Sequence, residues 1–200
     1  MAQVVLIHGL GRSTGSMRPL AVRLGAQGFA TTRIGYASRR LCFEEALDCV
    51  LRQLRDMPSR GPLHLVGHSL GGVLARHAAE RAPDLGIERI VGLGSPYDGS
   101  QAAARVARLP GGRALFGPVL DEIPGFASLA PRPGWMAIAG VLALPWPGRL
   151  FGLEGENDGL VERRSAHGSA PVTHTVAAAH GWLPLSPAVA RHVVEHLRAE

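Results

Sequence analysis

Two hundred residues, 46% of them hydrophobic, suffice for one domain with a sizeable core, and no period of roughly 20–50 residues recurs that would build a solenoid or a propeller. All 21 basic residues are arginines against 16 acids, for a net charge of +5. They are scattered along the chain instead of clustering with aromatics on one element, which argues against a nucleic-acid partner.

The first residues, Met1-Ala2-Gln3-Val4-Val5-Leu6-Ile7, run straight into a strand with no basic leader and no small-residue cleavage site, a pattern read as cytoplasmic. Val4–Ile7 is continuously apolar, as in a strand covered on both faces. A polar loop follows, His8-Gly9-Leu10-Gly11-Arg12-Ser13-Thr14-Gly15-Ser16, and then a helix with Met17, Leu20, Ala21 and Leu24 on one face. The loop is not a dinucleotide fingerprint, since Thr14 stands where the third glycine belongs. It is not a phosphate loop either, because it has no lysine. Ala30–Ile34 reads as a second strand. Phe43–Met57 reads as an amphipathic helix with Ala46, Leu47, Val50, Leu51 and Leu54 inward. Cys42 and Cys49 are seven apart and fall on that helix about 10 Å from each other, too far for a disulfide, so both are expected as packed free thiols.

Leu63-His64-Leu65-Val66 is a third apolar strand, which runs into Gly67-His68-Ser69-Leu70-Gly71-Gly72 and then a helix beginning at Leu70. A serine at the apex of so tight a turn needs small neighbours two positions away on either side, and Gly67 and Gly71 meet that need. The turn lifts the Ser69 hydroxyl out of the sheet and leaves the Leu70 amide at a helix start, where partial positive charge favours an anion. Ile87–Leu93 is the next strand and Ala102–Leu109 a short helix. Residues 110–134 hold Leu115, Phe116, Val119, Leu120, Ile123, Phe126 and Leu129, which pack as core or wall a pocket for an acyl chain. The segment is lid-like but too short for a separate cap. Trp135–Gly140 reads as a strand, and Leu150–Leu153 as a further short extended piece. The longest apolar run, Met136 to Trp146, is broken by Gly140 and Pro145 and is too short to span a bilayer. A polar turn around Asn157-Asp158-Gly159 precedes a last strand, Val172–Ala177. His180 lies just past it in an Ala/Gly-rich stretch, and a helix spans Pro187–Arg198.

Strand and helix alternate throughout, so the expected fold is α/β: a mainly parallel sheet of about six strands with helices on both faces and no separate cap domain. Leu10, Ser69, Asp158 and His180 all fall at carboxyl ends of strands, where such sheets bind ligands. A serine nucleophile needs a base, and histidine suits. Of nine histidines, His180 is favoured over His174 because it alone follows the last strand in a flexible Ala/Gly setting. Asp158 is favoured over Asp98 as the carboxylate that orients it. The His8-Gly9 turn brings the Leu10 amide opposite the serine, as a second oxyanion donor beside Leu70.

His8-Gly9, Gly67-His68-Ser69-Leu70-Gly71-Gly72, Gly94-Ser95-Pro96 and Asn157-Asp158-Gly159-Leu160-Val161 followed by Ser165-Ala166-His167-Gly168 together resemble the α/β-hydrolases, specifically the bacterial triacylglycerol lipases and their small esterase relatives. The resemblance implies Ser69 as nucleophile, Asp158 as acid, His180 as base, and the amides of Leu10 and Leu70 as oxyanion donors. It implies a cofactor-free esterase or lipase acting on a small ester or lipid. Larger lipases of that group bind calcium through an aspartate just after the catalytic histidine. Here Gly181-Trp182-Leu183-Pro184 follows, so no calcium or other metal site is expected. Two other readings stay open: an acyltransferase or thioesterase using the same residues, and a non-catalytic lipid- or partner-binding module.

Overall fold

The computed structural model describes residues 1–58, 61–143 and 152–199. Its six strands are β1 (Gln3–Ile7), β2 (Ala30–Ile34), β3 (Leu63–His68), β4 (Ile87–Leu93), β5 (Trp135–Gly140) and β6 (Val172–Val176). They form one sheet in the order β2-β1-β3-β4-β5-β6, with every neighbouring pair parallel. Parallel neighbours need a crossover, and the helices supply it. They are α1 (Arg18–Ala26), α2 (Phe43–Arg55), α3 (Leu70–Arg81), α4 (Gln101–Arg108), α5 (Gly112–Phe116), α6 (Val119–Glu122), α7 (Arg163–His167) and α8 (Pro187–Arg198).

All five residues of β1 are buried, because alternate side chains enter different cores. Val5 and Ile7 join Leu65 with α2 and α3 on one face of the sheet. Val4 and Leu6 join Val66 and Val91 with α1 and α8 on the other. That two-sided covering is what the unbroken apolar run Val4–Ile7 requires. No helix among the described residues is long and apolar enough to cross a membrane.

Helix α2 buries the five residues its periodicity selects, together with Phe43. It starts one residue after Cys42, whose amide donates to the Glu45 carboxylate at 2.9 Å. The reading that put both cysteines inside the helix is corrected at Cys42. Both thiols are free, and each is half-buried. Helix α3 carries a buried arginine: Arg76 pairs with Glu80 at 2.8 Å, donates to the Ala130 carbonyl at 2.7 Å and lies 5.1 Å over the Trp135 ring. A buried guanidinium is tolerable only when so engaged, and here it ties α3 to β5 and to the segment preceding it.

Residues 110–134 contain α5, α6 and a 3-10 turn at Ile123–Gly125. Val119, Leu120 and Ile123 are buried, while Leu115 is 57% exposed. Phe126 packs on Phe43 with ring centres 5.0 Å apart. Of the short extended piece expected at Leu150–Leu153, Leu150 and Phe151 lie outside the described residues, and Gly152 and Leu153 belong to no strand. Helix α7 was not expected.

Candidate active site

Going along the chain, the sheet adds β2 on one side of β1 and β3 on the other, so the order reverses between β1 and β3. A crevice opens at the carboxyl ends of two such strands, and the loops leaving them begin at His8 and Ser69. Ser69 has φ 54° and ψ −126°, the only non-glycine residue with positive φ among the described residues. Such a conformation costs a non-glycine residue on the order of 1–3 kcal/mol and persists only where the surroundings enforce it. Close packing enforces it here. A Cβ on Gly67 would run into the Gly71 backbone, and one on Gly71 into the carbonyls of Ile7 and His8. Leu70 opens α3, so its amide is among the first in the helix and has no intrahelical acceptor.

The loop after β1 sits directly against this turn. A Cβ on Gly9 would come within 2.9 Å of Ser69 Cβ. The ring of His8 stacks on Tyr36 at 4.6 Å, and its Nδ1 lies 2.9 Å from the Gly9 carbonyl, to which it donates. The Arg12 amide donates to that same carbonyl at 3.2 Å. Gly9 C=O and Leu10 N–H belong to one trans peptide, so they point in opposite directions. Fixing the carbonyl therefore fixes the aim of the Leu10 amide. Burial lowers the pKa of His8 and keeps its ring neutral.

Asp158 and His180 meet from separate loops, with Oδ2 2.7 Å from Nδ1. Both are buried. The other carboxylate oxygen, Oδ1, accepts from the amides of Leu160 at 3.0 Å and Val161 at 2.8 Å. The His180 amide donates to the Asp158 carbonyl at 2.9 Å. A carboxylate accepts, so the proton of the neutral ring sits on Nδ1 and leaves Nε2 with a lone pair. His180 also opens a 3-10 turn, His180–Leu185, so the flexible setting expected for it is corrected: its backbone is pinned. Gly94, at φ 56°, forms the floor beneath the pair, where a Cβ would come within 2.8 Å of Asp158 Oδ2.

Ser69 and His180 line one cavity of about 180 Å³, together with Leu10, Arg12 and His68. The rest of the lining is largely apolar and includes Val106, Phe116, Leu120, Ile123 and Leu160. Residues 110–134 thus supply core and cavity wall at once. Among the described residues no hydrogen bond joins the Ser69 hydroxyl to the His180 ring, a looseness common before substrate binds. His68, inside the turn, donates from Nε2 to the His180 carbonyl at 2.9 Å, and its ring lies 4.8 Å from that of His180. Burial first, then the charges of His180 and Arg12, hold its pKa well below the ordinary value.

The rejected candidates lie elsewhere. Asp98 is exposed and accepts from the Ser128 amide at 3.0 Å. His174 stacks on His192 at 4.0 Å on the far edge strand. His167 ends α7, and its Nε2 reaches the His174 carbonyl at 3.1 Å. Among the described residues, no group of three or more His, Cys, Asp or Glu side chains is arranged to hold a metal ion. Sequence reasoning missed the contact of His68 with His180 and the position of Arg12 in the cavity, since both depend on residues more than a hundred positions apart.

Residues 3–114 match the family defined by the alpha/beta hydrolase fold, and the chain belongs to that family. Its backbone is similar to that of the mature Bacillus licheniformis lipase BlEst2, with a TM-score of 0.77 at 18% identity over 98% of this chain and 91% of that one. It is also similar to the metagenomic carboxyl esterase MGS0156, with a TM-score of 0.69 at 20% identity over 90% of this chain and 64% of that one. The NocB thioesterase domain from the nocardicin cluster gives a TM-score of 0.65 at 18% identity over 99% and 94% of the two chains. At these identities the likeness is one of fold. No curated protein matches the sequence.

Proposed function

We propose that this protein is a serine hydrolase that cleaves carboxylic esters, with Ser69, His180 and Asp158 as its triad and residues 1–200 acting as one domain. The observation that carries the reading is the buried 2.7 Å contact between Asp158 and His180, on the same cavity as a serine held at positive φ. In this reading His180 Nε2 takes the proton of Ser69 as Oγ bonds to the ester carbonyl carbon. The amides of Leu10 and Leu70 donate to the resulting oxyanion. The protonated His180 then gives its proton to the departing alcohol oxygen as that C–O bond breaks, leaving an acyl-serine. A water deprotonated by His180 attacks the acyl carbon, and the acid leaves as the serine recovers its proton. Asp158 fixes the tautomer and stabilises the imidazolium without taking up a proton itself. No metal or cofactor is required by any of these steps.

The test is hydrolysis of short p-nitrophenyl esters. Ser69→Ala is expected to lower kcat by about three to six orders of magnitude while the fold, followed by circular dichroism, is retained. A folded Ser69→Ala protein as fast as wild type would remove the nucleophile from the proposal. The likeness to a thioesterase domain favours a second reading, in which the acyl group arrives on a thiol. Matched oxygen esters and thioesters separate the two.

A further inference from the structure

The cavity is built almost wholly from apolar and neutral groups, with one exception. Among the described residues that line it, Arg12 is the only permanently charged side chain and none is acidic. Arg12 is exposed, and among the described residues it forms no ion pair. Its guanidinium lies beside the residue that follows the proposed base: a Cβ on Gly181 would come within 2.7 Å of Arg12 Nη2. A second guanidinium, that of Arg39, lies beside Gly11 on the same loop, with Nε 3.7 Å from where a Gly11 Cβ would be.

A guanidinium that lines the cavity, is exposed and has no ion-pair partner among the described residues is open to an anion brought by the substrate. Chemistry fixes which part of the substrate that is. His180 hands its proton to the leaving atom, so the leaving group lies on the His180–Gly181 side, next to Arg12. The acyl chain takes the apolar lining of Val106, Leu120 and Ile123.

We propose that Arg12 forms an anion subsite on the leaving-group side, selecting apolar acyl esters or thioesters whose alcohol or thiol part carries a carboxylate or a phosphate. The inference rests on the triad reading given above. Guanidinium pairs with either anion by two parallel N–H bonds, so the shared chemistry is a planar or tetrahedral oxyanion.

The experiment compares matched pairs with one acyl group: hexanoyl esters of 3-hydroxypropanamide and 3-hydroxypropanoate for the carboxylate arm, and of glycerol and glycerol phosphate for the phosphate arm. At low salt the protein is expected to favour the charged member of at least one pair by about fivefold in kcat/KM, the scale of an exposed charge pair. The arm that responds identifies the anion. The preference is expected to shrink as salt shortens the screening length from about 30 Å at 0.01 M to about 8 Å at 0.15 M. Arg12→Gln brings the ratio to about one, Arg12→Glu takes it below one, and Arg12→Lys restores part of it. Equal kcat/KM within both pairs, or an unchanged ratio in Arg12→Gln, overturns the subsite while leaving the triad standing. No turnover of any of the four esters, together with no fluorophosphonate labelling of Ser69, defeats the triad and the subsite with it.

Discussion

His68 holds two parts of the site at once: its Nε2 carries the His180 carbonyl, and its Nδ1 lies 3.2 Å from the position of a Gly9 Cβ. Removing the ring deprives a buried carbonyl of its donor and leaves a hole beneath the loop that follows β1. His68→Ala is therefore expected to cost about 2–4 kcal/mol of stability by urea denaturation. His68→Gln, whose amide N–H reaches where Nε2 does, is expected to regain part of it. Equal stability of His68→Ala and wild type would show that the contact holds nothing. None of this could be read from the chain, since position 68 looks like a spacer between glycine and serine. The polar turn around Asn157-Asp158-Gly159 was legible; that its amides donate to the Asp158 carboxylate, while Asp98 accepts from the Ser128 amide at the surface, was not.

At the scale of elements, the strands and the longer helices were legible because their patterns are strong. Val4–Ile7 is apolar without a break, and α2 repeats its apolar residues at helical spacing over 13 residues. Helices α5, α6 and α7, of four or five residues each, were not. Helices that short are not stable in isolation and are set by what they pack against. The turn at Gly67–Gly71 joins both kinds of information, because its glycines announce a turn and its neighbours enforce one strained shape. Gly71→Ala is expected to destabilise by several kcal/mol or to prevent folding, because a methyl group there meets the carbonyls of Ile7 and His8. Gly25→Ala in α1, with nothing within 4 Å of the new methyl, is expected to stabilise by about 0.5–1 kcal/mol. Thermal melts of the two variants test this, and a mild effect at Gly71 would mean the turn can relax.

For the whole molecule, the histidines set the response to acid. His8, His64, His68 and His196 are buried, and burial lowers the pKa of each. Their unfolded value is about 6.5. Below it the unfolded chain binds protons that the native state refuses, so stability is complete above about pH 6.5 and falls as the pH drops. Each histidine contributes up to about 1.4 kcal/mol per pH unit when fully protonated only in the unfolded chain. The Tm is expected to be lower at pH 5 than at pH 7.5, and His68→Gln should flatten the slope. A Tm constant across that range would mean that the rings are protonated in place.

In the proposed mechanism, the left-handed backbone at Ser69 sets durability against chemistry at a single position. The strain there, on the order of 1–3 kcal/mol, is a noticeable part of the 5–15 kcal/mol that keeps a typical domain folded. Glycine would relax the bend and delete the hydroxyl in the same exchange. An engineer raising the heat tolerance of this protein must therefore find the gain elsewhere in the chain.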